Sequence, residues 1–102
     1  MDVLESYLKD PQATDRYALD WTDRLAAQGV AASGIVDFYV TVPAGLAEAY
    51  RLRTDAVTAV WLGGGTLGQA YMVTFGLRLR HPAGVGEPIV WERSIRVTVA
   101  DQ

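Results

Sequence analysis

Few side chains in this chain could carry reactive chemistry, and their spacing does not favour it. His81 is the only histidine. It stands at the start of a glycine- and proline-rich loop, with no serine or second ligand at a spacing that makes a general base or a metal site. There is no cysteine, which removes disulfides and thiolate metal centres together. Asp10, Asp15, Asp20 and Asp23 are spread too widely for a calcium loop, which needs oxygens at alternate positions over about twelve residues. Gly63, Gly65 and Gly68 have the spacing of a dinucleotide fingerprint, with Glu87 about twenty residues further on. That motif works where its glycines open a helix whose N-terminus holds the pyrophosphate. Here the residues that follow alternate as a strand, so the run is read as a turn. No catalytic residue, metal or cofactor is expected, and the chain is not expected to be an enzyme.

The elements that would position any site read mostly as strands. From Gln69 to Arg80 the chain reads as a long alternating strand, with Tyr71, Val73, Phe75, Leu77 and Leu79 on one side and Met72, Thr74, Gly76, Arg78 and Arg80 on the other. This is the period of a half-buried antiparallel strand. Tyr71 enters it just after a glycine corner, the position of the tyrosine corner in an immunoglobulin-like sandwich. Arg16 to Trp21 is a second strand, with Tyr17, Leu19 and Trp21 inward, followed by a helical turn over Thr22 to Gln28 that Thr22 caps and Gly29 ends. Ile35 to Val42 is a third, with Val36, Phe38, Val40 and Val42 inward. Ala47 to Arg53 fits an edge strand or a helix, and Ala56 to Leu62 is a strand whose facing is open. Ile89 to Val99 closes the domain with Ile95, Val97 and Val99 inward, in a register that sets Phe75 against Ile95 and Arg78 against Glu92. Residues 2–9 fit two turns of helix ended by Pro11. The expectation is an all-β chain: an immunoglobulin/fibronectin-III-like antiparallel β-sandwich of about seven strands, residues 15–102, preceded by a short N-terminal helix or arm over residues 1–14.

With 102 residues the chain is long enough to bury one core unaided. No segment approaches membrane-spanning length, and the acidic N-terminus lacks the basic and apolar regions of a secretory signal. The net charge of −3 conceals an asymmetry, with six acids against Lys9 and Arg16 up to Asp23, and six acids against seven arginines beyond it. An acidic chain of pI near 4.9 is a poor general nucleic-acid binder. Arg78, Arg80 and Arg96 fall on the outer side of the last two strands. They make that face a dock for an acidic partner or for the acidic N-terminal segment of another copy, with Leu4, Leu8, Trp61 and Trp91 as apolar anchors. Trp21 continues an inward alternation, while Trp61 and Trp91 fit either the core or the surface. Exposed tryptophans in the loops would instead make a carbohydrate- or receptor-binding module.

Several segments carry a resemblance when taken in order. They are Lys9-Asp10-Pro11, Tyr17-x-x-Asp20-Trp21 with Leu25, Thr41 to Leu46 (TVPAGL), Val60-Trp61-Leu62-x-Gly64-Gly65-Thr66-x-Gly68, Tyr71-x-Val73-Thr74 and Glu92-Arg93-Ser94-Ile95. Across residues 9–99 the chain resembles the small structural proteins encoded among the morphogenesis genes of tailed bacteriophages and prophages. The stretch GLAEAYRLRTD is more basic and helix-prone than its counterpart in such proteins, and HPAGVGEPIVW is longer. The resemblance implies an immunoglobulin-like virion component of a tail, fibre, head-tail region or capsid surface, with no catalytic residues to carry over. Its partners would be other virion proteins or itself as a homo-oligomer, without nucleic acid or membrane, in the virion or in the bacterial cytoplasm during assembly.

Overall fold

The computed structural model describes residues 3–80 and 89–100, and of Val3 and Leu4 the backbone only. Seven strands form two sheets packed face to face. They are β1 (Val3–Lys9), β2 (Asp15–Asp20), β3 (Ile35–Thr41), β4 (Leu46–Thr54), β5 (Val57–Gly64), β6 (Ala70–Leu79) and β7 (Ile89–Val99). One sheet has the order β1-β7-β6-β3 and the other β2-β5-β4. All pairings are antiparallel except β1 with β7, which is parallel. A single turn of helix, α1 (Thr22–Ala27), and a 3₁₀ turn (Ala32–Gly34) connect β2 to β3.

The core lies where the inward faces meet. Tyr17 and Leu19 from β2, Trp21 just after it, and Val60 and Leu62 from β5 pack against Val73, Phe75, Leu77 and Leu79 from β6 and Ile95 and Val97 from β7. From Val73 onward the alternation of β6 is the alternation of its burial, except at Gly76, which the Tyr39 ring covers. For β5, Thr58, Val60 and Leu62 point in, and Val57, Ala59 and Trp61 point out.

Four expectations are corrected. The segment expected as two helical turns over residues 2–9 is strand β1, because its backbone finds a parallel partner in β7, and a two-turn helix would have been marginal alone. Val36, expected inward, is exposed: a bulge between Ile35 and Asp37 turns it out and buries Ile35 instead. The last hairpin is antiparallel, but its register is two residues from the expected one. Val73 meets Ile95, Phe75 meets Arg93 and Arg78 meets Val90. Thr22 does not cap α1 with its side chain. The Asp20 carboxylate instead accepts from the Thr22 N–H and hydroxyl, tying the end of β2 to the helix start. The loop from His81 to Pro88 lies outside the described residues.

Strand β4, where strand and helix were both open, is a sheet edge. A bulge between Glu48 and Tyr50 reverses its phase. Glu48 precedes the reversal on the inner side, and Arg51 and Arg53 follow it there. Arg51 pairs with Glu48 and donates to the Val40 carbonyl of β3 at 3.4 Å. A bulge and inward-pointing arginines are features that keep an edge strand from pairing with foreign chains.

One core residue carries an unmatched polar atom. The Tyr17 hydroxyl is buried and has no hydrogen-bond partner among the described residues, while its ring meets Tyr7 edge-on at 5.2 Å. Burial, then Asp15 and Tyr7, push its pKa up to about 12. The unfolded chain releases this proton near pH 10, so between about pH 10 and 12 the folded state binds more protons and stability falls as pH rises. Tyr17→Phe should therefore reduce the alkaline loss and leave stability at pH 7 unchanged or raised by up to about 1 kcal/mol. Urea midpoints measured at pH 7 and across pH 10–12 test this, and a steeper alkaline loss in the variant would contradict it.

Candidate functional site

The motif residues converge at one end of the sandwich. Lys9, at the end of β1, is fully buried, and its ammonium donates to the carbonyls of Asp10 at 2.9 Å and Gly64 at 2.7 Å. It thereby ties the four-stranded sheet to the last residue of β5 in the other. The run Gly64 to Gly68 is a turn in which Gly64, Gly65 and Gly68 all take positive φ, a conformation that side chains with a Cβ rarely adopt. The Gly65 N–H donates to Gly45, the Gly68 N–H to Val99, and the Ala100 N–H to Lys9. The Tyr71 phenol oxygen accepts from the Thr66 N–H at 3.0 Å, with its ring lying against Gly45. These contacts hold turns together. Tyr71→Phe should cost about 1 kcal/mol, because Thr66 is near solvent and water can replace the lost acceptor. An unchanged denaturation midpoint at equal slope would show that this bond holds nothing.

The opposite end has a cleft of about 600 Å³ lined by Glu5, Asp20, Asp23, Arg24, Gln28 and Arg93 beside Trp21. Trp21 and Trp91 are stacked at 6.4 Å and 23°, with Arg24 over Trp91 at 4.4 Å and Arg93 near Trp21 at 5.9 Å. Burial and then Arg93 hold the Arg24 guanidinium below its usual pKa. The two tryptophans are only 2% and 9% exposed, so neither offers a ring face on which a sugar could stack. Among the described residues no group of three or more His, Cys, Asp or Glu could hold a metal ion.

A second cleft of about 450 Å³ lies on the other side of α1, between Leu25, Val30 and Ala56, and the two outer sheet faces are open as well. On the four-stranded sheet, Leu8 is 64% exposed beside Thr98, and Arg96 lies between Met72 and Ser6. Arg78 lies six residues from Met72 along β6, roughly 20 Å away at the usual rise. It is engaged within its own sheet, by Asp37 at 3.1 Å and over the Tyr39 ring at 4.7 Å. Tyr39 lies across Gly76, where a Cβ would collide with the ring, and its hydroxyl bonds to Glu92. Burial and then Glu92 push the Tyr39 pKa up to about 12. Arg80 is exposed at the far end of β6. The face is thus mixed in charge, with Arg96 and Leu8 close together and Arg78 apart. Trp91 belongs to the interior, and the Leu4 side chain lies outside the described residues.

Trp61 is on the opposite sheet, half-buried between Tyr50 at 5.4 Å and the Arg16 guanidinium at 5.7 Å. Tyr50 and Leu52 beside it are 57% and 43% exposed. Neither residue stands out in the sequence, because the bulge in β4 breaks the alternation that would place them outward. The only signal was a tyrosine and a leucine in a segment with no clear inward face.

The chain contains no helix long and apolar enough to cross a membrane among the described residues. No curated protein and no solved structure matches it. Residues 9–84, about three quarters of the chain, match the model of a family described as Podophage GP4 fiber-tail adaptor protein gp77. The match begins at the buried Lys9 and runs through β6. The chain belongs to this family of phage structural proteins.

Proposed function

We propose that this chain is a non-enzymatic connector in the particle of a podophage, joining fibre to tail through protein–protein contacts. Membership of the fiber-tail adaptor family carries the reading. The geometry supports it: polar groups at the motif end are spent on turns, whereas both sheets have outer faces with exposed apolar residues. An adaptor needs more than one surface for its neighbours, another copy of the chain included, and a sandwich presents two back to back. The part of the four-stranded sheet around Leu8, Met72 and Arg96 has an apolar anchor beside an exposed guanidinium, suited to an acidic virion partner.

We read the sandwich itself as immunoglobulin-like. Its support is the division into β1-β7-β6-β3 and β2-β5-β4, with Tyr71 at the β5–β6 corner bonded to backbone five residues upstream.

The test is reconstitution. Mixed with the purified fibre and tail proteins of the same phage, the chain should co-elute with each and bridge the two. Leu8→Asp/Arg96→Glu should weaken binding to one of them at least tenfold while leaving the circular dichroism spectrum unchanged. A chain that binds neither protein overturns the proposal.

A further inference from the structure

The outer face of the three-stranded sheet has an internal symmetry that the fold does not need. Three rows of cross-strand neighbours run over it: Arg16, Trp61 and Tyr50; then Ala18, Ala59 and Leu52; then Asp20, Val57 and Thr54. The first row is bulky and the third is small. The middle row is flat at two of its three positions. Of the nine side chains only Arg16 and Asp20 are charged. They have opposite sign, sit on the same strand, and are equally distant from the middle row.

They do not neutralise one another within the chain. Four residues of strand separate them by roughly 13 Å. Arg16 lies over Trp61, and both hydrogen bonds that Asp20 accepts fall on the same oxygen, Oδ1.

We propose that this face is a contact between two copies of the chain, related by a two-fold axis that runs across the strands along the Ala18–Ala59–Leu52 row. Such an operation exchanges the first and third rows. Arg16 of each copy then meets Asp20 of the other, Trp61 packs over Val57, and Tyr50 packs over Thr54. Ala18 and Leu52 meet their own counterparts on the axis, with Ala59, only 2% exposed, lying beneath them, and the small residues there allow two sheets to approach to about 10 Å. Self-complementarity of this kind is what an isologous contact requires. A different partner would not need the two charges to be balanced about the middle row.

The face is small, about 15 Å on a side, so two copies bury less than the 1,200–2,000 Å² typical of stable complexes. The dimer is accordingly weak, with dissociation constants of roughly 10 µM to 1 mM. Its charge pairs weaken with added salt.

Sedimentation equilibrium of the full chain, up to about 1 mM at low salt, should show a monomer–dimer equilibrium. Leu52→Glu places two carboxylates face to face on the axis and should abolish it, with an unchanged circular dichroism spectrum. Arg16→Asp alone and Asp20→Arg alone each set like charges opposite one another and should weaken the homodimer at least tenfold. An equimolar mixture of those two variants should form a heterodimer within about threefold of the native affinity, since each copy then supplies the charge that the other lacks. That recovery also shows both variants to be folded. A monomer at every concentration overturns the proposal, as does a dimer indifferent to Leu52→Glu. So does a mixture that pairs no better than its components. Binding of fibre or tail protein that Leu52→Glu removes, without any dimer, assigns the face to that protein instead.

Discussion

Replacing Lys9 by methionine should destabilise the protein by about 2 kcal/mol, and replacing it by alanine by about 3 to 4 kcal/mol. The ammonium is fully buried and bonded to two carbonyl oxygens, one at the start of the β1–β2 turn and one on the other sheet. Charge-assisted hydrogen bonds of this kind contribute about 1.5–3 kcal/mol each, and the two part-buried carbonyls lose their donor when the amine goes. Against that stands the cost of burying the charge, which the substitution removes. The net therefore falls well below the sum of the two bonds. Methionine keeps most of the stem and fills the space; alanine adds a cavity. Urea midpoints at equal slope measure both variants. A second readout is available because Lys9 is the only lysine in the chain. An amine-acylating reagent should modify only the α-amino group of the native protein, and Lys9 only after unfolding. Ready acylation of native Lys9 would contradict the buried lock.

The same residue shows what the sequence made legible. Lys9-Asp10-Pro11 stood out as a motif without a role, and no pattern within one segment could have supplied one. The amine's second acceptor is the Gly64 carbonyl, 55 positions away. What could be read directly was local and periodic. Val73, Phe75, Leu77 and Leu79 are all buried, as are Tyr17, Leu19 and Trp21, because one face of a strand against a core imposes a period of two on its own sequence. What could not be read depended on partners or on phase. Val3 to Lys9 is a strand because β7 offers it an edge, and bulges in β3 and β4 shift the alternation by one residue, turning out Val36, Tyr50 and Leu52. The hairpin register is not legible either, because the length of the connecting segment alone does not fix it.

The motifs that carried the family resemblance hold the fold. Lys9, Tyr17, Trp21, Leu25 and Leu46 are buried, and Tyr71 ties down a turn. Of the residues on the candidate contact faces, Asp20 and Trp61 are motif positions, whereas Leu8, Tyr50, Leu52, Met72 and Arg96 are not. A pattern shared for reasons of folding identifies the scaffold, and the surface that scaffold presents must be found from geometry.

Trp21→Ala should cost about 3–5 kcal/mol, a large fraction of the stability of a domain this size. Trp21 closes the core at the α1 end of the sandwich. Its ring is stacked on Trp91, its backbone N–H donates to the Ala56 carbonyl at 2.8 Å, and its indole N–H donates to the buried Thr58 hydroxyl at 3.0 Å. The alanine variant keeps the backbone bond, loses the stack, and leaves a void next to an unpaired hydroxyl. Polar and packing contributions can be separated. Trp21→Phe removes the indole donor and strands Thr58, so it should cost about 2 kcal/mol; Thr58→Val strands the indole and should cost about 1 to 2. The double variant loses both polar partners together, so its cost should fall short of the sum of the singles by about 1 kcal/mol. Additive costs would mean that the Trp21–Thr58 bond contributes nothing and that Trp21 acts through packing alone. If instead Trp21→Ala proved as stable as the native chain, the stacked pair would lie outside the core. The cleft beside Arg24 and Arg93 would then be open to a planar ligand, and the case against sugar stacking at that end would fail.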